Sequence, residues 1–217
     1  MVNNFPLDVI VTGHLCIDLL PDMGAVTRTI MNLPGHLAET GPLGFSTGGA
    51  VSNVGLALHK LGARVRLLAT VGDDLIGHAT ADLIERIDPS LTESITFQQG
   101  APSSYTIVLS PERADRTFLH CPGVNALFGM AQVDFALLDK APLFYLGYPS
   151  ILPRLMRDDG AELEAIFRRA ARTGIVTAMD TALPDPLGPG GKVDWRRLLS
   201  RTLPFVDIFI PSIEEIL

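Results

Sequence analysis

Two hydrophobic rhythms alternate along the chain. Residues 8–13 (DVIVTG) form a β-branched run closed by glycine, the pattern of a central strand buried on both faces. From Ala50 the period changes, with Val51, Val54, Leu58 and Leu61 at i, i+3, i+7 and i+10. That spacing predicts one apolar helix stripe, with Gly62 placed as a left-handed C-terminal cap. Residues 64–72 read as a second strand and residues 75–87 as a second helix, broken by Asp88-Pro89. Strand, helix, strand, helix is the signature of parallel βαβ units.

The texture then changes. Residues 105–110 and 116–120 are strand-like and flank the polar stretch 111–115, which predicts a β-hairpin. A hairpin inside a βαβ series implies a second sheet. The alternation resumes with a short helix over 133–140, a strand over 142–147 and a helix over 161–172 ended by Gly174. A strand over 175–180, a long loop over 182–191, a helix over 193–201 and a strand over 206–210 follow. Residues 21–47 carry Pro34-Gly35 and Gly41-Pro42 and little helical period, and read as short strands and turns outside the main sheet.

Composition narrows the function. With 47% hydrophobic and 19% charged residues, the 217-residue chain reads as a compact soluble protein with a sizeable core. A net charge of −7 disfavours a nucleic-acid partner, and the arginines at 168, 169, 172, 196, 197 and 201 are expected on solvated helix faces. No apolar run reaches the roughly 18 residues that span a bilayer, so no membrane partner and a cytoplasmic location are expected. Cys16 and Cys121 read as reduced thiols, and the five histidines lack HxxxH or HExxH spacing, which disfavours a histidine metal cage.

Candidate chemistry gathers at a few points. Gly48-Gly49 before a helix lets the backbone approach a ligand and brings Asn53 into the first helical turn, although a plain tight turn has the same form. Asp18 lies just beyond the first strand, where ligands collect in open α/β sheets, or else acts as an ordinary capping aspartate. Asn125 closes the hairpin segment, where asparagine is also a common turn residue. Ser212-x-x-Glu215 is a capping box, yet Leu217 follows almost at once, so the sequence reads as the front part of a longer fold.

In this order the segments resemble the ribokinase-like or PfkB family of carbohydrate kinases. The residues that carry the resemblance are Gly48-Gly49-Ala50-Val51-Ser52-Asn53 with Leu58 to Gly62, and Val71-Gly72-Asp73-Asp74-x-x-Gly77. Arg116-Thr117-Phe118-Leu119-His120-x-Pro122-Gly123-Val124-Asn125 and Val206-Asp207-Ile208-Phe209-Ile210-Pro211-Ser212-x-x-Glu215 complete it. The resemblance implies a doubly wound, mostly parallel α/β sheet with a small β lid. It implies one such domain over residues 1–217, cut short at its C-terminus, with lid segments at about 15–47 and 97–120 inserted in it. It also implies ATP-dependent phosphorylation of a sugar or sugar-like alcohol, with ATP and Mg²⁺ as cofactors and a homodimer through the lid.

By resemblance, Asp18, Gly48, Gly49, Asn53 and Asn125 bind the sugar, and Asp180 and Glu215 organise phosphate and metal without direct metal ligation. Ser212 stands where the family's Asn-x-x-Glu motif has asparagine. The family's Gly-Ala-Gly-Asp loop, which carries the general base and phosphate-binding amides, has no match in the chain. It is expected beyond residue 217, and the chain alone is expected to be inactive. A non-catalytic sugar-binding or regulatory protein of the same fold is the alternative. A dinucleotide enzyme is disfavoured because GxGxxG is missing after the first strand.

Overall fold

A computed structural model describes residues 5–24, 26, 34–111 and 115–215. The central strand β1 is Val9–Gly13, buried at every position. It is followed by β2 (Cys16–Pro21), β3 (Leu43–Gly48), α1 (Ala50–Lys60), β4 (Val65–Gly72), α2 (Leu75–Glu85) and β5 (Ile95–Gln98). Next come β6 (Tyr105–Leu109), β7 (Thr117–Cys121), β8 (Leu143–Gly147), α3 (Ala161–Ala171), β9 (Val176–Met179), α4 (Trp195–Thr202) and β10 (Ile208–Phe209).

Six strands form one sheet in the order β10-β9-β8-β1-β4-β5, with every adjacent pair parallel. Alternation along β1 and β4 sends side chains to opposite faces. Val9, Val11 and Leu67 pack with Ala50 and Val51 of α1 and Ile84 of α2. Ile10 and Leu68 pack on the other face with Phe144, with Leu163, Ile166 and Phe167 of α3, and with Leu198 of α4. Fully burying such a side chain is worth about 1.5–3 kcal/mol, so helices covering both faces are what this all-parallel sheet requires.

The remaining four strands form a separate mixed sheet, β3-β2-β6-β7, which is the second sheet that the hairpin implies and the lid that the resemblance implies. Leu19 is in register with Phe45 and Ile107, and Ile107 with Leu119, so one face carries an apolar row across all four strands. Phe45 and Leu119 in that row are exposed. On the opposite face Ser46, Asp18, Thr106 and His120 form the neighbouring row.

Several elements differ from the sequence reading. Leu61, assigned to the buried stripe of α1, is 84% exposed, because it caps the helix rather than belonging to it. The helix instead approaches the sheet through Gly55, where a Cβ would collide with Leu67. Gly62, at φ +90°, closes the helix with Gly62 N–H to His59 O and Ala63 N–H to Leu58 O, the paired bonds of a Schellman cap. Phe97 and Gln98 lie in β5 of the main sheet, so the lid's second excursion begins at Tyr105. The short helix expected over 133–140 is a 3-10 helix over Phe135–Lys140, and residues 213–215 form a single 3-10 turn.

Arg168 and Arg201 lie on solvated faces as expected, and both also bond the carboxylate of Glu164, which is 8% exposed. Parts of the 21–47 loop and of the 111–115 turn, and residues 216–217, fall outside the described residues.

Candidate functional site

The chain runs from β1 into the lid and then to β4 and β5 on one side, and returns as β8, β9 and β10 on the other. The strand order therefore reverses at β1, and crevices at such reversals, beyond the strands' carboxyl ends, are where α/β sheets take ligands. Gly13, at φ +121°, passes so close to the end of β8 that a Cβ would lie 2.9 Å from Gly147 N. His14, 2% exposed, and Leu15, 1% exposed, then bridge to β2 of the lid.

Both glycines of the Gly48-Gly49 pair have steric reasons. A Cβ on Gly48 would lie 2.5 Å from Asp18 Oδ1, and one on Gly49, at φ +86°, 2.5 Å from the His14 carbonyl oxygen. The same carbonyl accepts Val51 N–H at 3.0 Å, and Gly49 O accepts Asn53 N–H at 2.9 Å, which starts α1 against the joint. Buried Asn125 donates Nδ2–H to Leu15 O at 2.7 Å. Asp18, Gly48, Gly49 and Asn125 are thus gathered around residues 13–18, with Asn53 on the first turn of the adjoining helix.

A polar line crosses this joint. Cys16 Sγ lies 3.5 Å from Asp18 Oδ1 and 3.5 Å from Thr106 Oγ1. Thr106 Oγ1 lies 3.0 Å from His120 Nδ1, and His120 Nε2 3.3 Å from His14 Nε2. Burial raises the Asp18 carboxyl above its ordinary range and pushes the Cys16 thiol up, with Asp18 adding to the second effect. Burial, and then the neighbouring His120, lower His14 to about 3, so it is neutral at pH 7.

Asp180 and Glu215 form a second group, past the end of β9. Asp180 Oδ1 accepts Tyr148 N–H at 3.0 Å, and Tyr148 sits in the left-handed region at φ 56°, ψ 44°. Strain of this kind in a non-glycine residue persists only where surrounding contacts hold it. Tyr145, 5% exposed, brings its hydroxyl near Asp180, and that hydroxyl has no well-aligned hydrogen-bond partner among the described residues. Burial, with the charge of Glu215 adding, raises Asp180 to about 6 against the pull of Tyr145 and Tyr148.

Glu215 Oε2 accepts Thr181 Oγ1–H at 2.7 Å and Ser212 N–H at 2.8 Å, the glutamate half of the capping box. The Tyr148 phenol lies beside Asn53 and so adjoins both groups. Among the described residues no cluster of three or more metal-ligating side chains occurs, and no helix is long and apolar enough to cross a membrane.

Sequence reasoning missed His14, Thr106, His120, Tyr145 and Tyr148. The alternation of 105–110 and 116–120 held the signal for Thr106 and His120, since cross-strand partners share a face. Nothing in the sequence marks Tyr148, an ordinary residue in an uncommon conformation.

A six-stranded parallel sheet, a four-stranded lid and a polar joint at the point of strand reversal define a lidded α/β protein. Its solved counterparts share that fold. A fructokinase with bound ATP from Xylella fastidiosa has a TM-score of 0.71 at 23% identity, over 95% of this chain and 58% of that one. An Arabidopsis thaliana ribokinase complexed with ribose and ATP has a TM-score of 0.69 at 15% identity, over 96% of this chain and 61% of that one. Residues 7–217 match the pfkB family carbohydrate kinases, and the chain belongs to that family.

Among curated relatives, fructokinase-2 of Oryza sativa subsp. japonica is 27% identical over 183 residues, covering 83% of this chain and 51% of the relative. A probable fructokinase-2 of Arabidopsis thaliana is 25% identical over 194 residues, covering 88% and 55%. The chain spans about half the length of these relatives.

Proposed function

We propose that this chain is the sugar-binding part of an ATP-dependent carbohydrate kinase that phosphorylates a hydroxyl of a sugar or sugar-like alcohol. One observation supports the reading most: the Asp18 carboxylate lies against Gly48 at the point where lid and sheet join, with no Cβ in the way. Ionised Asp18 accepts sugar hydroxyls in charge-assisted hydrogen bonds, roughly twice as strong as neutral ones. Gly48 and Gly49 keep the backbone clear, and Asn53 offers a polar side chain from α1. Asn125 has one amide hydrogen committed to Leu15, which leaves its side-chain oxygen for a hydroxyl. Residues 1–217 act as one α/β unit into which the lid is inserted.

Asp180 and Glu215 fit the phosphate and metal end. A half-buried carboxyl raised to about 6 partly by a second carboxylate is short of positive charge, which suits a hydrated Mg²⁺. Bound Mg²⁺ neutralises charge on the transferred phosphoryl group. Asp180 and Glu215 would hold its water shell, Tyr148 N–H would orient Asp180, and no residue of this chain is assigned as the general base. A second copy of the chain is the partner proposed for the lid's apolar row, which has no charge to direct a different protein to it. Light scattering that found only monomers would remove that partner.

Relatives named fructokinase make D-fructose the first sugar to test. Calorimetric titration should show D-fructose binding that weakens by about 3–6 kcal/mol in Asp18→Ala, the loss of two hydrogen bonds to a charged group. Unchanged affinity would overturn the role of Asp18. Phosphate transfer from ATP to D-fructose by residues 1–217 alone would mean that a general base lies among them.

A further inference from the structure

The polar line at the joint has a direction that the chemistry of its members determines. His14, His120, Thr106 and Cys16 can each donate either way along it, since an imidazole has two tautomers and a hydroxyl or thiol rotates. Asp18 cannot, because an ionised carboxylate only accepts. Cys16 therefore donates its S–H to Asp18 Oδ1, 3.5 Å away. The sulfur accepts from the Thr106 hydroxyl, and Thr106, its proton used, accepts from His120 Nδ1–H at 3.0 Å.

That leaves His120 bare at Nε2, where it accepts from His14 Nε2–H at 3.3 Å. His14 then keeps an unprotonated Nδ1, and Nδ1 is the buried atom for which the described residues offer no hydrogen-bond partner. The opposite polarity would place an N–H there. Orphaned buried donors are rarer than under-satisfied acceptors, so the structure favours the first direction. The Tyr105 backbone carbonyl is a further acceptor for a ring N–H of His120.

We propose that His120 is a positioning residue which, through Thr106 and Cys16, holds Asp18 by Oδ1 and leaves Oδ2 to receive the hydroxyls of a polyol. Asp18 in turn sets the tautomers of both histidines. The lid strand β7 and the end of β1 are thereby tied to the state of one carboxylate. The polyol part rests on the proposed sugar-binding function, whereas the tautomer assignment stands without it.

Long-range ¹H–¹⁵N spectra of the imidazoles at neutral pH test the assignment. The expected result is protonation of His120 at Nδ1 and of His14 at Nε2. Cys16→Ser should keep both tautomers. Asp18 lies within reach of Thr106 as well, so Cys16→Ala combined with Asp18→Ala removes both acceptors and should turn Thr106 toward His120 and shift the His120 proton to Nε2. Protonation of His120 at Nε2 in the unmodified chain, or no change in the double variant, would overturn the proposal; the same spectra report whether each variant is folded.

In a second arm, D-fructose affinity should fall tenfold or more in His120→Leu and change less than threefold in His120→Asn, whose amide replaces Nδ1–H. Equal affinity in His120→Leu and the unmodified chain, with binding lost in Asp18→Ala, would overturn the positioning role. If the unmodified chain does not bind D-fructose, the kinase reading fails for that sugar and the tautomers alone decide the relay.

Discussion

The lid joint and the far edge of the main sheet bury ionisable groups of opposite kind. At the joint, His14 is a base kept neutral inside a line of hydrogen bonds. At the edge, Asp180 is an acid raised to about 6 by burial and by Glu215. The difference teaches where each group finds its partners among the described residues: the joint links His14 by Nε2 into a line of hydrogen bonds and leaves only its Nδ1 unmet, whereas Asp180 is held by the Tyr148 N–H while the neighbouring Tyr145 hydroxyl has no partner.

The contrast breaks first under steric insult. Gly49→Ala drives a Cβ to 2.5 Å from the His14 carbonyl at φ +86°, and should cost on the order of 4 kcal/mol in urea unfolding. The response to acid comes next. His14 is lowered from 6.5 to about 3, so its contribution is complete above pH 6.5 and is lost as pH falls toward 3. Between pH 6.5 and 4 that amounts to about 3 kcal/mol, and His14→Gln should flatten this part of the stability profile.

Asp180 runs the other way. Raised from 3.8 to about 6, it leaves the fold most stable below pH 3.8 and weakens it as pH rises through 6. Asp180→Asn keeps an oxygen for Tyr148 N–H and should therefore stabilise the protein at pH 8 by about 3 kcal/mol, with little effect at pH 4. Loss of stability in Asp180→Asn at pH 8 would mean that the carboxylate is structurally required. The smallest effect is expected for Gly174→Ala: its φ is +81° but a Cβ there meets nothing within 4 Å, so about 1 kcal/mol should be lost.

Much of this was legible in the chain. The β-branched run at β1, the change of period at Ala50 and the hairpin texture of 105–120 located both sheets, because buried strands and helices must show those periods. Strand β5 was not legible: Ile95 to Gln98 is short, and three of its four residues are exposed. Leu61 misled because its spacing fits the stripe while the chain has already left the helix. Asp18 and the Gly48-Gly49 pair were visible as candidates, but the contact between them depends on lid register, in which Asp18 faces Ser46 and Cys16 faces Gly48. Tyr145 and Asp180 meet across separate strands, a relation that only the sheet order supplies.

The lid's register also bears on how such a protein could be taken apart. Cys16 and Gly48 are direct partners, and so are Tyr105 and Cys121, so each excursion leaves the main sheet and returns beside its own point of departure. Each is an insertion whose ends nearly touch, a geometry that lets a short turn replace the intervening chain without moving the strands on either side. In modular terms the six-stranded sheet is a chassis with two adjacent sockets, and the lid is two plugs joined to each other where β2 pairs with β6.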